Sequence, residues 1–292
     1  MDASKPGSDE TRSSSGASPD KTQVGTAPMD PTKTLPPGRI VIRRIGKYDL
    51  TGRIGIGALG QVWLGDHPEL DIPIAVKILN SDVVIKHPDY IARFEAESKT
   101  AARINHPSVV RVYDAGCDNG EYYIVMEHVS GGTLKREMQQ QQEPINADRA
   151  LDTVIQIAEG LQAASVYGII HRDIKPANIM LDEKGRAKLA DLGFAKRLHD
   201  ASSSTTLSGY SLGTPTYMAP EQAQGLPSMG PAVDLYAIGL MLYELLCGRL
   251  PFYGSVQALL YDKIRSDPPP LPNSDALEPG LAETVMKLIA RR

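Results

Sequence analysis

The chain has 292 residues, of which 41% are hydrophobic and 23% charged. That supplies a core of normal size and excludes a collagen-like, disulfide-dense or fully disordered chain. A net charge of -4 and a pI of about 5.9 argue against a dedicated nucleic-acid binder. The two isolated cysteines, Cys117 and Cys247, read as reduced thiols. With no secretory start and no apolar run long enough to span a bilayer, the expected location is cytoplasmic.

Residues 1–38 stand apart: 21 of the 38 are Ser, Thr, Gly or Pro and 7 are apolar. Such a segment cannot bury enough surface to offset its ordering entropy, so disorder is expected. Strand-like runs follow at Tyr48–Ile54, Gln61–Gly65 and Ile72–Leu79, bounded by glycines or the His67-Pro68 turn. Residues 88–104 read as a helix with Ile91, Phe94, Ser98, Ala101 and Ala102 along one side. Two further strands, Val109–Cys117 and Glu121–His128, are joined by Asp118-Asn119-Gly120. After Ser130-Gly131-Gly132 the helical period dominates. Leu151, Ile155, Ala158 and Leu161 mark one helix face, and Leu235–Leu246 a helix buried nearly all round. The order predicts an α+β chain: a small strand-rich lobe at about 46–127, a larger helical lobe at about 132–292, and a cleft near residues 127–132.

The cleft collects the residues that carry chemistry. Gly55-Ile56-Gly57-Ala58-Leu59-Gly60-Gln61-Val62 matches G-x-G-x-x-G-x-V. Glycines let a backbone approach phosphates closely. A dinucleotide fold needs a helix after them; here strand-like runs lie on both sides, so a hairpin flap over phosphates is expected, with a plain β-turn as the bland alternative. Lys77 sits on an apolar strand, where a lysine ordinarily points to solvent. In a cleft it can pair with phosphates, and it then needs a carboxylate. Glu97 is the choice, with Glu95 as the fallback. The run His171-Arg172-Asp173-Ile174-Lys175-Pro176-Ala177-Asn178 packs an acid, two cations and a carboxamide together. Asp173 can accept a hydroxyl proton, Lys175 can stabilise charge on a transferring phosphoryl group, and Asn178 can hold a metal through its amide oxygen. Asp191, before Leu192-Gly193 at a strand end, is a plausible Mg²⁺ ligand.

With Ala219-Pro220-Glu221 closing the series, the chain from about residue 46 to 292 resembles a eukaryotic-type (Hanks-type) protein kinase. Lys175-Pro176-x-Asn178, and Gly213-Thr214 before Tyr217, resemble the serine/threonine branch. Pro220-Glu221-Gln222 and Asn105-His106-Pro107 are similar to bacterial members. The resemblance implies a bilobal fold and transfer of the γ-phosphoryl group of ATP to Ser/Thr hydroxyls of proteins, with Mg²⁺. Lys77 would contact the α/β-phosphates and pair with Glu97. Asp173 would orient the substrate hydroxyl, and Asn178 and Asp191 would bind Mg²⁺. Val62 and Ala75 would pack on the adenine, Glu127–Val129 would be the hinge that reads its edge, and Met126 the gatekeeper. Asp234 would anchor the catalytic loop from below.

The resemblance also frames regulation. Thr206 and Ser208 are the expected autophosphorylation sites, facing Arg172 and Lys196, with dimerisation as the route to it. Thr133 and Ala177 are uncharged where acids commonly select an upstream arginine, so no strong demand for a basic residue is expected. The family continues past a helix like Leu281–Arg291 to an arginine that pairs with the Glu221 position. Either the sequence is a piece of a longer protein or Arg291 or Arg292 takes that arginine's place, and a shortened helical lobe is expected. Two other classes remain at this point: a pseudokinase scaffold, against which Lys77, Asp173 and Asp191 are all present, and a dinucleotide-binding oxidoreductase, which rests on the glycines alone.

Overall fold

The computed structural model of the chain describes residues 40–57, 59–86, 88–141, 143–192, 215–226, 229–272 and 274–291. The expected disordered segment at 1–38, and Lys196, Thr206, Ser208 and Arg292, lie outside the described residues.

The first lobe is an antiparallel sheet in the order β1-β2-β3-β4-β6-β5. Its strands are β1 (Arg43–Ile45), β2 (Tyr48–Gly57), β3 (Gly60–Asp66), β4 (Pro73–Leu79), β5 (Val112–Asp118) and β6 (Glu121–Glu127). Cross-strand partners share a face. Val62 opposes Lys77, which opposes Ile124, and Leu64 opposes Ala75, which opposes Met126, so these six line one side. The alternate residues Ile74, Val76, Ile78, Tyr123 and Val125 are buried on the other side with Ile45, Tyr48 and Leu50. Asn119 and Gly120 both have positive φ, 50° and 82°, which is the conformation a tight hairpin demands of its two central residues.

Three details differ from expectation. Strand β1 is a three-residue edge strand, too short for its alternation to register in the sequence. The helix expected over 88–104 is α2 (Pro88–Ala101), three residues shorter at its end, and a further helix, α1 (Ser81–Lys86), precedes it. Proline has no N–H to continue a helix but a φ that suits its first turn. Phe94, Ser98 and Ala101 are buried as expected, whereas Ala102 lies past the helix end and is exposed.

The second lobe opens with α3 (Leu134–Gln140), whose N-cap Thr133 accepts from Arg136 N. In α4 (Ala147–Ser165) the buried side carries Ala150, Thr153, Val154, Ile157, Gly160 and Ala164. Of the face marked by Leu151, Ile155, Ala158 and Leu161, the middle is turned outward, with Ile155 52% exposed and Ala158 exposed, while Leu151 and Leu161 are half-buried at the edge of the core. Gly160 shows why. It brings α4 so close to the Ser108 and Leu189 backbones that an added Cβ would stand 2.7 Å from Ser108 O. A hairpin of β7 (Ile179–Leu181) and β8 (Ala187–Leu189) follows. After it come α5 (Pro220–Ala223), α6 (Ala232–Cys247), α7 (Val256–Arg265) and α8 (Leu281–Leu288). Helix α6 is buried nearly all round, Leu235 excepted, and ends at Gly248 in the left-handed region. Arg291 does not reach Glu221. Its guanidinium donates to Arg265 O at 2.7 Å, capping the carbonyl end of α7.

Backbone hydrogen bonds join the lobes. Gly131 N donates to Leu181 O, Leu181 N to Gly132 O, and Val110 N to Leu189 O. Gly131 is required there, because a Cβ would stand 2.5 Å from Leu181 O. Among the described residues no helix is long and apolar enough to cross a membrane.

Candidate active site

The glycine run is the end of the β2–β3 hairpin: Gly55 opposes Val62 and Gly57 opposes Gly60. Strand β4, not a helix, follows β3, so the oxidoreductase alternative loses its only support. Gly60 serves the sheet, since its Cβ would fall 2.0 Å from Ile78 O, whereas a Cβ on Gly57 would meet only Gly60 O, at 3.9 Å.

Below this flap, Lys77 crosses the cleft. Its Nζ lies 2.6 Å from Asp191 Oδ1, with the lysine side chain 11% exposed. Glu97 lies on α2 beside buried Ser98 and stays half-exposed, while Asp191 stands within hydrogen-bond distance of the ammonium. Burial alone would raise the Asp191 carboxyl. The Lys77 ammonium, with help from His171 and Lys175, outweighs it and holds the group below the usual carboxylate range.

The catalytic loop is built around Asp173. Its Oδ2 accepts from Lys175 Nζ at 2.8 Å and from Asn178 Nδ2 at 3.0 Å, and Asn178 Nδ2 also meets Asp173 O at 2.8 Å. Pro176–Asn178 form a 3-10 turn that brings Asn178 back over the acid. Asp234, 4% exposed at the start of α6, accepts His171 N and Arg172 N. Burial raises its carboxyl above the ordinary range despite His171 nearby. Arg172 and Asp191 hold φ of 63° and 58°, positions that L-residues adopt only when surroundings enforce them. Two bonds tie the loop to the residue before Asp191: His171 Nε2 to Ala190 O at 2.9 Å, and Ala190 N to Asn178 O at 2.9 Å. Asp173, Lys175, Asn178, Asp191 and Lys77 are thus brought together at one end of the cleft.

At the other end stand Val62, Ala75 and Met126, on the shared sheet face, with Glu127 and buried Val129 following. Behind Met126 a gap of about 10 Å³, room for one water, is lined by Val110, Val112, Leu189, Asp191 and Leu192.

The donor set suits Mg²⁺. Asn178 turns its amide nitrogen to Asp173, which leaves its oxygen as the outward acceptor, and Asp191 carries a carboxylate that is anionic at neutral pH. Among the described residues there is no cluster of three His, Cys, Asp or Glu side chains able to hold a metal. Hard-oxygen coordination would therefore be completed by phosphate oxygens and water.

Several contacts had no local signal in the sequence. Gln222 donates to Arg172 O and accepts from Ala219 N, tying α5 to the catalytic loop. Tyr217 donates its hydroxyl to Glu244, and Lys188 pairs with Glu127. The bonds to Arg172, Glu244 and Glu127 each join residues far apart in the chain.

The family model described as protein kinase domain matches residues 48–288. PknB, a serine/threonine-protein kinase of Mycolicibacterium smegmatis, is 38% identical over 251 residues, 84% of this chain and 40% of that protein. The serine/threonine-protein kinase Pkn1 of Myxococcus xanthus is 36% identical over 255 residues, 85% of this chain and 36% of that protein. Among solved structures, the kinase domain of Mycobacterium tuberculosis PknI superposes with a TM-score of 0.66 at 27% identity, covering 86% of this chain and 90% of that one. The chain belongs to the protein kinase family, and its nearest features are those of bacterial serine/threonine kinases. It spans less than half the length of these curated relatives.

Proposed function

We propose that this chain transfers the γ-phosphoryl group of ATP to serine or threonine hydroxyls of protein substrates. The observation that carries the reading is the Asp173 carboxylate, shared by Lys175 and Asn178 on a loop hydrogen-bonded to the residue before Asp191. The substrate hydroxyl oxygen forms a new bond to the γ-phosphorus while the bond from that phosphorus to the β–γ bridging oxygen breaks, and ADP leaves. Asp173 orients the hydroxyl and receives its proton. Lys175 stabilises charge on the transferring oxygens. Lys77 holds the α/β-phosphates, with Glu97 assigned as its partner in the nucleotide-bound arrangement. Asn178 and Asp191 would hold Mg²⁺, which supplies neutralisation of phosphate charge. The glycines Gly55, Gly57 and Gly60 cover the phosphates, Val62, Ala75 and Met126 enclose the base, and the backbone of Glu127–Val129 reads its edge.

Regulation follows from the same chemistry. Phosphate on Thr206 and Ser208 would face Arg172 and Lys196, with a second copy as the route of transfer and a cytoplasmic setting. Thr133 and Ala177 favour substrates without an obligatory upstream arginine. The test is mass spectrometry of the chain incubated with Mg-ATP and a generic Ser/Thr protein substrate, beside Asp173→Asn. Phosphate between residues 196 and 214 and on the substrate, with intact Asp173 only, is expected. Phosphate on neither protein overturns the activity, and equal phosphate with Asp173→Asn overturns the role of Asp173.

A further inference from the structure

No motif gives Lys188 a task, and a lysine on a short strand ordinarily reaches solvent. Here its side chain is 12% exposed, and its ammonium lies 2.9 Å from Glu127 Oε1 and 3.1 Å from Oε2. The Glu127 side chain is itself 27% exposed, and its Oε2 also accepts Arg111 N at 3.2 Å, while Glu127 N donates to Arg111 O at 2.8 Å. The next residue of β8, Leu189, donates to Ser108 O and accepts from Val110 N, both at 2.8 Å. Three separate pieces, the end of β6, the stretch 108–111 and strand β8, are therefore closed into one polar joint at the junction of the lobes. A charge pair so far withdrawn from water is electrostatically stiff, because losing either partner leaves the other charge poorly solvated.

The two ends of this joint lead to the two ends of the nucleotide site. Glu127 is the first residue of the hinge. Lys188 precedes Asp191 by three residues on a strand whose continuation is pinned by His171 and Asn178. We infer that Lys188 and Glu127 are a positioning pair that sets the separation between the hinge, which reads the base, and Asp191, which holds the metal–phosphate end. The inference rests on the nucleotide assignment above and adds to it a residue that touches neither base nor phosphate. A ligand that spans both ends feels that separation. A ligand that engages the hinge alone does not.

That difference supplies the test. Binding of adenosine, and of ADP in the presence of Mg²⁺, is measured calorimetrically for the wild type, Lys188→Met, Lys188→Arg and Glu127→Gln. Lys188→Met and Glu127→Gln should weaken Mg-ADP about three- to tenfold, the range for losing one partly buried charge pair. Adenosine affinity of Lys188→Met should stay within about twofold of wild type. Lys188→Arg should restore Mg-ADP affinity, because arginine also offers a charged donor to the carboxylate. Equal weakening of both ligands, no weakening of either, or failure of arginine to rescue overturns the positioning role. If Lys188→Met does not fold, Lys188→Gln and Glu127→Gln carry the same comparison. A wild type that binds neither ligand overturns the nucleotide assignment and the inference with it, an outcome distinct from wild-type binding with unaltered variants.

Discussion

Asp234 holds the catalytic loop by its backbone: Oδ2 accepts His171 N at 2.8 Å and Oδ1 accepts Arg172 N at 2.7 Å. Both donors are buried or partly buried, and Arg172 sits at φ 63°, so the carboxylate offsets a strained turn as well as two desolvated N–H groups. Asp234→Asn keeps the shape but presents an amide N–H₂ to one of those donors. Leaving that donor unmet should lower stability by about 1–3 kcal/mol. Activity should fall further than the folded fraction does, because Asp173 follows Arg172 directly. Urea unfolding and steady-state kinetics on the same preparation check this. Unchanged kcat in a destabilised variant would show that the loop holds its shape without the anchor.

The Lys77–Asp191 pair predicts an acid-side stability change. Asp191 has a folded pKa below its ordinary value, so its contribution is present above the unfolded pKa and is lost as pH falls through the folded one. Asp191→Asn removes that contribution. The gap in unfolding midpoint between wild type and Asp191→Asn should therefore be largest near neutral pH and close as pH drops below about 4. Denaturant titrations from pH 3 to 7 test it. A gap of constant size would mean that the ammonium does not stabilise the carboxylate.

Tyr217 and Glu244 give the opposite pH dependence. Burial raises the Glu244 carboxyl, and the Tyr217 hydroxyl and nearby Lys135 draw it part of the way back. A carboxyl raised on folding weakens the folded state as pH rises through its folded value, and relief comes on acidification. Tyr217→Phe deletes the stabilising donor and should raise Glu244 further. Its destabilisation, about 1–3 kcal/mol for a buried group left unmet, should be greater at pH 7 than at pH 5. Thermal or urea unfolding at the two values measures this. Equal losses at both would place the effect in packing alone.

What the sequence made legible divides by range. Asp173, Lys175 and Asn178 fall within six residues, so their chemistry could be read directly, and the loop folds them onto one another. Glycine-bounded strands and the Asn119-Gly120 turn were local as well. The buried face of α4 was not, because Gly160 decides it by approaching Ser108, a neighbour that no periodicity names. The contact of Lys77 with Asp191 was not legible either. Asp191 is 114 residues away in the chain, and only the fold brings its carboxylate to 2.6 Å from the ammonium. Lys188 was overlooked because a short strand carries too few residues to show which of its faces is covered.

The glycines of the flap separate into two kinds, and this supplies a last prediction. At Gly60 a methyl group would meet the Ile78 carbonyl oxygen at 2.0 Å and Leu79 Cα at 3.1 Å, both backbone, so β3 and β4 must part. At Gly55 the nearest atom is Val62 Cβ at 3.5 Å, an ordinary contact, and at Gly57 nothing lies closer than 3.9 Å. Gly60→Ala should accordingly cost about 1–3 kcal/mol of stability, as overpacking does. It should also raise the KM for ATP, since β3 carries Val62. Gly55→Ala and Gly57→Ala should leave the unfolding midpoint nearly unchanged and act, if at all, on KM alone. Gly52→Ala, with open space around the new methyl group, is the control. Melting curves and ATP titrations of the four variants settle the division. A stable Gly60→Ala with only an altered KM would mean that the sheet edge yields more easily than its backbone contacts imply.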